Sequence, residues 1–242
     1  MDRLLSLFTT LPAADWAALL LFFFGWIGYA VQAKRLSESH GSLLMATNRE
    51  RRRWMLQVTY REVRVIDGVV VQSLATSPSF FASTTILIIG GLLALLGASD
   101  KASELVRELP FAARTSALVF DLKLVLLCGI FVYAFFRFTW SMRQYTFGAL
   151  LVAAAPDHEH FAKAGEAARE AFANRAGRIV GLAAETFNDG LRAYYFAFAA
   201  VAWFFSPWTF MAATAGVITI LYLREFRSDV LAVLKEETLN EP

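Results

Sequence analysis

Charge is scarce in this sequence, and so are the residues that build reactive centres. Only 18% of the 242 residues are charged, against about a quarter in a soluble domain, and the charges are bunched between long uncharged runs. That distribution excludes an ordinary soluble domain. The single cysteine, Cys128, leaves no partner for a disulfide or a thiolate metal site. Its place inside an apolar run makes it a small packing residue. Three histidines, His40, His158 and His160, come with no local Ser, His and Asp motif. His158-Glu159-His160, beside Asp157, sets its two imidazoles two residues apart, which a helix would separate, and no further ligand cluster accompanies them. No metal site is expected there, and Asp157 reads instead as the N-cap of the next helix. The only dense glycines, Gly90-Gly91, lie within an apolar run, so no phosphate loop is present. No cofactor and no enzymatic activity are expected. A net charge of +2 is too small to point to nucleic acid.

Apolar residues are what the chain has in abundance, at 57%. They form five runs, at residues 16–33, 79–98, 117–136, 191–205 and 208–223. A hydrocarbon layer of roughly 30 Å takes about 20 helical residues, so the first three are comfortable spans and the last two short ones. The expected fold is therefore all-α: a single polytopic helical membrane domain over 1–242, with about five spans and a cytoplasmic helical hairpin. Leu19 to Phe24 followed by Val31-Gln32-Ala33 imitates a signal peptide, but Lys34 and Arg35 come at once and retain the segment as an anchor.

Positive charge gives the orientation. Lys34, Arg35, Arg49, Arg51, Arg52, Arg53, Arg61 and Arg64 follow the first run, and Lys and Arg stay on the cytoplasmic side. With five spans, sixteen positive residues fall inside and four, Arg3, Lys101, Arg107 and Arg114, outside. This predicts a bacterial-type inner membrane, the N-terminus outside and the C-terminus cytoplasmic. Residues 191–223 are too long for one span at 1.5 Å per residue. Ser206-Pro207 suits a helix start, with serine as N-cap and proline at the first helical position, so a tight hairpin is expected. Ser77-Pro78 predicts the same kind of start for the second span.

Two segments between spans are helical in pattern. In residues 49–74, Trp54, Val58, Val65 and Val69 share a face, which suits either a basic helix on anionic headgroups or one packed on the rest of the protein. Arg61 falls on that apolar line and is expected to be partly withdrawn from water, whereas Arg51 belongs to a solvated run. In residues 140–187, Phe161, Ala164, Ala168, Phe172, Ile179, Ala183 and Phe187 repeat every three or four positions. That helix should return antiparallel to an extension of the third span, with Pro156-Asp157 at the turn.

Asp121 and Lys123 interrupt an otherwise uncharged run. Each costs about 2.5–3.5 kcal/mol to insert, so each must either snorkel to the outer interface or find protein, water or a partner charge. At two residues' separation they cannot pair ideally with each other. Gly90, Ala94 and Ala98 form a small-xxx-small line, a packing signal.

Several stretches resemble an uncharacterised membrane family, the domain of unknown function 599 family. They are Asn48-Arg49 with Arg52-Arg53-Trp54; Arg61, Arg64 and Asp67; Phe80 to Thr85; Phe135 to Trp140 with Arg143-Gln144-Tyr145; Asn188 with Gly190 to Phe196; and Arg224 to Ser228. The resemblance covers nearly all of the chain after His40 and implies a multi-span protein without supplying an activity. It picks out polar positions at the cytoplasmic ends of spans: Asn48, Arg49, Arg61, Arg64, Arg143, Gln144, Asn188, Arg192, Arg224 and Arg227. Such groups suit an anionic headgroup, a phosphate or a small carboxylate if they converge, and simple topology signalling if they do not. With Asp121 and Lys123 they are the candidate binding residues. Two function classes follow. One is an oligomeric channel or transporter-like protein for a small, anionic solute, which needs assembly into a homo-oligomer because five spans are few. The other is a non-catalytic membrane scaffold that binds lipid, anionic on the cytoplasmic face, or a partner protein.

Overall fold

The computed structural model describes residues 11–98 and 116–239. The loop carrying Lys101, Arg107 and Arg114, and Arg3, lie outside the described residues. The described chain is all-α: α1 (Ala13–His40), α2 (Leu43–Val58), α3 (Val65–Gly97), α4 (Ala117–Ala153), α5 (His158–Ala164), α6 (Glu166–Val201), a 3-10 turn (Ala202–Phe204), α7 (Pro207–Phe226) and α8 (Asp229–Leu239). Among the described residues three helices are long and apolar enough to cross a membrane: Ala13–Ala33, Val65–Gly97 and Ala117–Ala153. Two compact units divide the chain. The first holds residues 1–36, 85–134 and 192–223, the second residues 37–84, 135–191 and 224–242.

The first unit is packed on aromatic rings. Phe22 touches Phe196 at 5.5 Å and Phe210 at 5.0 Å between centroids, and Trp26 stacks on Phe196 at 5.1 Å. Fourteen residues of straight helix would separate Phe196 from Phe210 by about 21 Å. Their meeting on one ring shows that the chain reverses between them. The reversal is built at Ser206-Pro207: Ser206 Oγ accepts from Thr209 N at 3.0 Å, and Thr209 Oγ1 accepts from Ser206 N at 3.1 Å. Proline at the first position of α7 loses no helical bond. Gly25 permits close approach, since a Cβ there would lie 2.8 Å from Ile218 Cδ1.

The second unit is organised by small residues on α6. A Cβ at Gly177 would sit 2.8 Å from Arg52 Cα, and one at Gly181 would sit 2.9 Å from Asn48 Oδ1, so α2 lies directly on α6. Phe138 meets Phe187, Ser141 Oγ donates to Ala183 O at 2.7 Å, and Gly148 faces Val180. Residue numbers rise on α4 as they fall on α6, which is antiparallel packing. At the connection, Asp157 Oδ1 accepts from His160 N at 2.7 Å and caps α5, and Gly165 takes the left-handed φ of +85° that favours glycine.

The structure corrects two local readings. Residues 49–74 are not one helix: α2 ends at Val58 and α3 begins at Val65, so Arg61 is not on a helical line with Val58. Thr59 is the C-cap of α2, and its hydroxyl donates back to Leu56 O at 2.7 Å. Ser77-Pro78 does not start a helix, since Pro78 lies inside α3. Burial of Val71, Pro78 and Ala82 holds the helix through the one missing backbone bond.

Candidate functional site

In the first unit, the intramembrane-type charges gather about Trp203. Lys123 is 2% exposed, so it does not snorkel. Its Nζ donates to Trp203 O at 2.8 Å and lies 5.3 Å from the Trp203 ring and 5.6 Å from that of Phe204. Trp203 Nε1 in turn donates to Asp15 Oδ1 at 2.6 Å. Both charges sit at helix ends of the favourable sign. Asp15 is in the first turn of α1, and Lys123 caps a carbonyl just past the end of α6. A buried cation, an indole and a buried carboxylate thus fix three helix ends together. Asp121 is half-buried, and its Oδ1 has no hydrogen-bond partner among the described residues. Arg192 lies over Tyr29 at 5.6 Å. Thr85 and Tyr194 share a hydroxyl hydrogen bond of 2.7 Å.

In the second unit, arginines converge on the connector between α2 and α3, where their acceptors are groups of the chain itself. Arg64 donates to Val58 O at 3.1 Å, to Ala155 O at 2.8 Å and to Pro156 O. One guanidinium therefore satisfies a carbonyl at the end of α2 and two just beyond the end of α4, which the fork geometry of arginine allows. Arg61 pairs with Asp67 and leaves 45% of its side chain exposed. Asp67 is fully buried in the first turn of α3 and also accepts from Trp54 Nε1 at 2.7 Å. Its Oδ2 has no partner among the described residues. Arg169, buried and lying 4.0 Å over the Tyr60 ring, donates to Thr59 O at 2.6 Å.

The other candidates do not join that cluster. Arg49 and Arg143 are exposed on α2 and α4, and Arg143 lies 6.0 Å over Phe147. Gln144 is buried, with Oε1 unpartnered among the described residues, and Asn188 is half-buried on α6. Asn48 Oδ1 accepts from Arg51 at 2.8 Å. Arg224 and Arg227 are exposed, and Glu225 between them accepts from Leu44 N at 3.2 Å. Arg51 departs from the solvated run expected of it: it is half-buried, and burial lowers its guanidinium pKa against an opposing effect of Tyr145. Sequence reasoning did not anticipate Arg169, Asp15 or Trp203 in these roles. The signal for Arg169 was an arginine set into the apolar repeat of Ala164, Ala168 and Phe172. Arg137 pairs with Asp189.

These features define an all-α protein with helices apolar enough to cross a bilayer, whose charged side chains join helix ends. The chain belongs to the DUF599 family of proteins of unknown function, whose sequence profile matches residues 17–230. No curated protein and no solved structure matches it.

Proposed function

We propose that the chain is a non-catalytic integral membrane scaffold of a bacterial-type inner membrane. It has five spans, the N-terminus outside and the C-terminus in the cytoplasm, and it holds anionic lipid on the cytoplasmic side. The observation that carries this reading is the fate of the guanidiniums. Arg61, Arg64 and Arg169, the groups a solute anion would need, are bonded to the chain's own carboxylate and carbonyls. Arg49 and Arg143 face outward instead. Arg143 sits in an exposed stripe of α4 with Phe136, Trp140, Phe147 and Leu150, the composition of a helix face at headgroup level. The transporter-like reading for a small anion draws no support from the unpartnered buried atoms Asp121 Oδ1 and Gln144 Oε1, because both are acceptors and attract donors.

The test has two arms. Cysteines at Ser42 and Ser228, in a Cys128→Ala background, should be shielded from an impermeant reagent in intact cells, and cysteines at Ser6 and Ser103 should be labelled. In native mass spectrometry, Arg49→Gln with Arg143→Gln should lower retention of phosphatidylglycerol several-fold. Labelling at Ser228 with protection at Ser103 would refute the topology, and unchanged lipid retention would refute the headgroup contact.

A further inference from the structure

Three helices of the second unit bring polar side chains together without supplying what those side chains bind. On α4, Ser141, Gln144, Tyr145 and Gly148 lie three or four residues apart, so they share one face, and all four are buried. That face is set against α6, since Ser141 Oγ donates to Ala183 O and Gly148 meets Val180. Between those two contacts, Gly181 receives Asn48 of α2. Asn48 Oδ1 accepts from Arg51 Nη1 at 2.8 Å, and Thr47 Oγ1 accepts from the same nitrogen at 2.9 Å, so the guanidinium is drawn back to this level. Arg51 and Tyr145 interact electrostatically there, yet no hydrogen bond joins them.

Two complements are missing. Arg52 pairs with Glu170 and Arg53 with Glu50, but among the described residues no carboxylate pairs with Arg51. A half-buried guanidinium without a negative partner is a costly arrangement. Gln144 is 9% exposed, and its Oε1 accepts no hydrogen bond among the described residues. Water would satisfy that oxygen but brings no charge to Arg51. A single ligand that answers both carries an anionic oxygen for the guanidinium and an O–H for the amide. An ammonium in place of the hydroxyl fits less well, because it would be left beside Arg51 with no carboxylate of its own.

We propose that Arg51, Tyr145 and Gln144 bind a glycerol phosphoester. Its phosphate accepts from Arg51 and from the Tyr145 hydroxyl, and a glycerol hydroxyl donates to Gln144 Oε1. The same chemistry is carried by the headgroup of phosphatidylglycerol and by free glycerol phosphate. In its lipid form the proposal rests on the headgroup reading given under Proposed function, where basic α2, with Arg49 exposed on it, is cytoplasmic.

Native mass spectrometry of the full-length protein, offered lipids in equal amounts, provides the test. The unaltered protein should retain phosphatidylglycerol roughly tenfold over phosphatidylmethanol, an equally charged phosphodiester that lacks the hydroxyl. Gln144→Leu keeps the volume and removes the unpartnered oxygen, so it should lose phosphatidylglycerol alone and abolish the preference. Arg51→Gln should lower both lipids. Titration of glycerol 1-phosphate into lipid-stripped protein separates the sources: saturable binding that Gln144→Leu removes assigns the free ester, and its absence beside the lipid preference assigns the headgroup. Equal retention of the two lipids with no binding of the ester, or a preference that survives Gln144→Leu, overturns the proposal. If retention falls in the Arg49→Gln with Arg143→Gln variant but not in Arg51→Gln, this site fails and the headgroup contact stands. Unchanged retention in every variant removes both.

Discussion

Lys123 in the first unit and Arg64 in the second do related work by opposite means. Lys123 is a compact ammonium that meets one carbonyl and lies against two aromatic rings, with the balancing carboxylate of Asp15 bonded to the Trp203 indole N–H. Arg64 spreads a planar fork over three carbonyls and remains partly open to water. The difference follows from the surroundings. Where the neighbours are apolar, one cation is admitted and every contact must be supplied by protein. Where water reaches the edge, several guanidiniums gather cheaply, each contributing through geometry more than through charge.

The comparison is broken first at Lys123. Lys123→Met removes the cap on Trp203 O and leaves Asp15 without its cation, so it should cost about 3–5 kcal/mol. Thermal unfolding in detergent reads this directly, and an unchanged melting temperature would return Lys123 to the status of a tolerated charge. Asp15→Asn keeps an acceptor for Trp203 Nε1 and should cost less than Lys123→Met in the same assay.

Arg64→Lys keeps the charge and loses the fork. Carbonyls left unpaired should cost about 1–3 kcal/mol, with faster proteolysis at the Thr59 to Arg64 connector as the local sign. Gly190→Ala tests packing of the second unit without touching charge. Its Cβ would come 2.5 Å from the buried Phe138 ring, an overpacking of about 1–3 kcal/mol that Phe138→Leu should partly relieve. Arg143→Lys marks the small end of the scale and should stay within about 0.5 kcal/mol, because that side chain faces outward.

Local chemistry in the sequence carried much of the helix plan. Ser206-Pro207 starts a helix and Asp157 caps one because both devices act within four residues. Ser77-Pro78 looks the same locally yet lies inside α3, since burial on both sides of Pro78 decides there. The site was less legible for the same reason. Lys123 meets a carbonyl 80 residues away, Trp203 meets Asp15 across 188, and Arg64 reaches Ala155 across 91. No pattern of spacing announces such partners. The family resemblance picked out arginines that could converge, but whether they do, and whether they then face a ligand or the chain's own carbonyls, depends on where the helices end.

The most direct test of the central claim, that these guanidiniums bind the protein to itself, is anion flux through purified protein in liposomes. Chloride, nitrate and phosphate efflux should equal that of protein-free vesicles, and Arg61→Lys and Arg64→Lys should leave it there. A protein-dependent efflux abolished by Arg61→Lys would contradict the account.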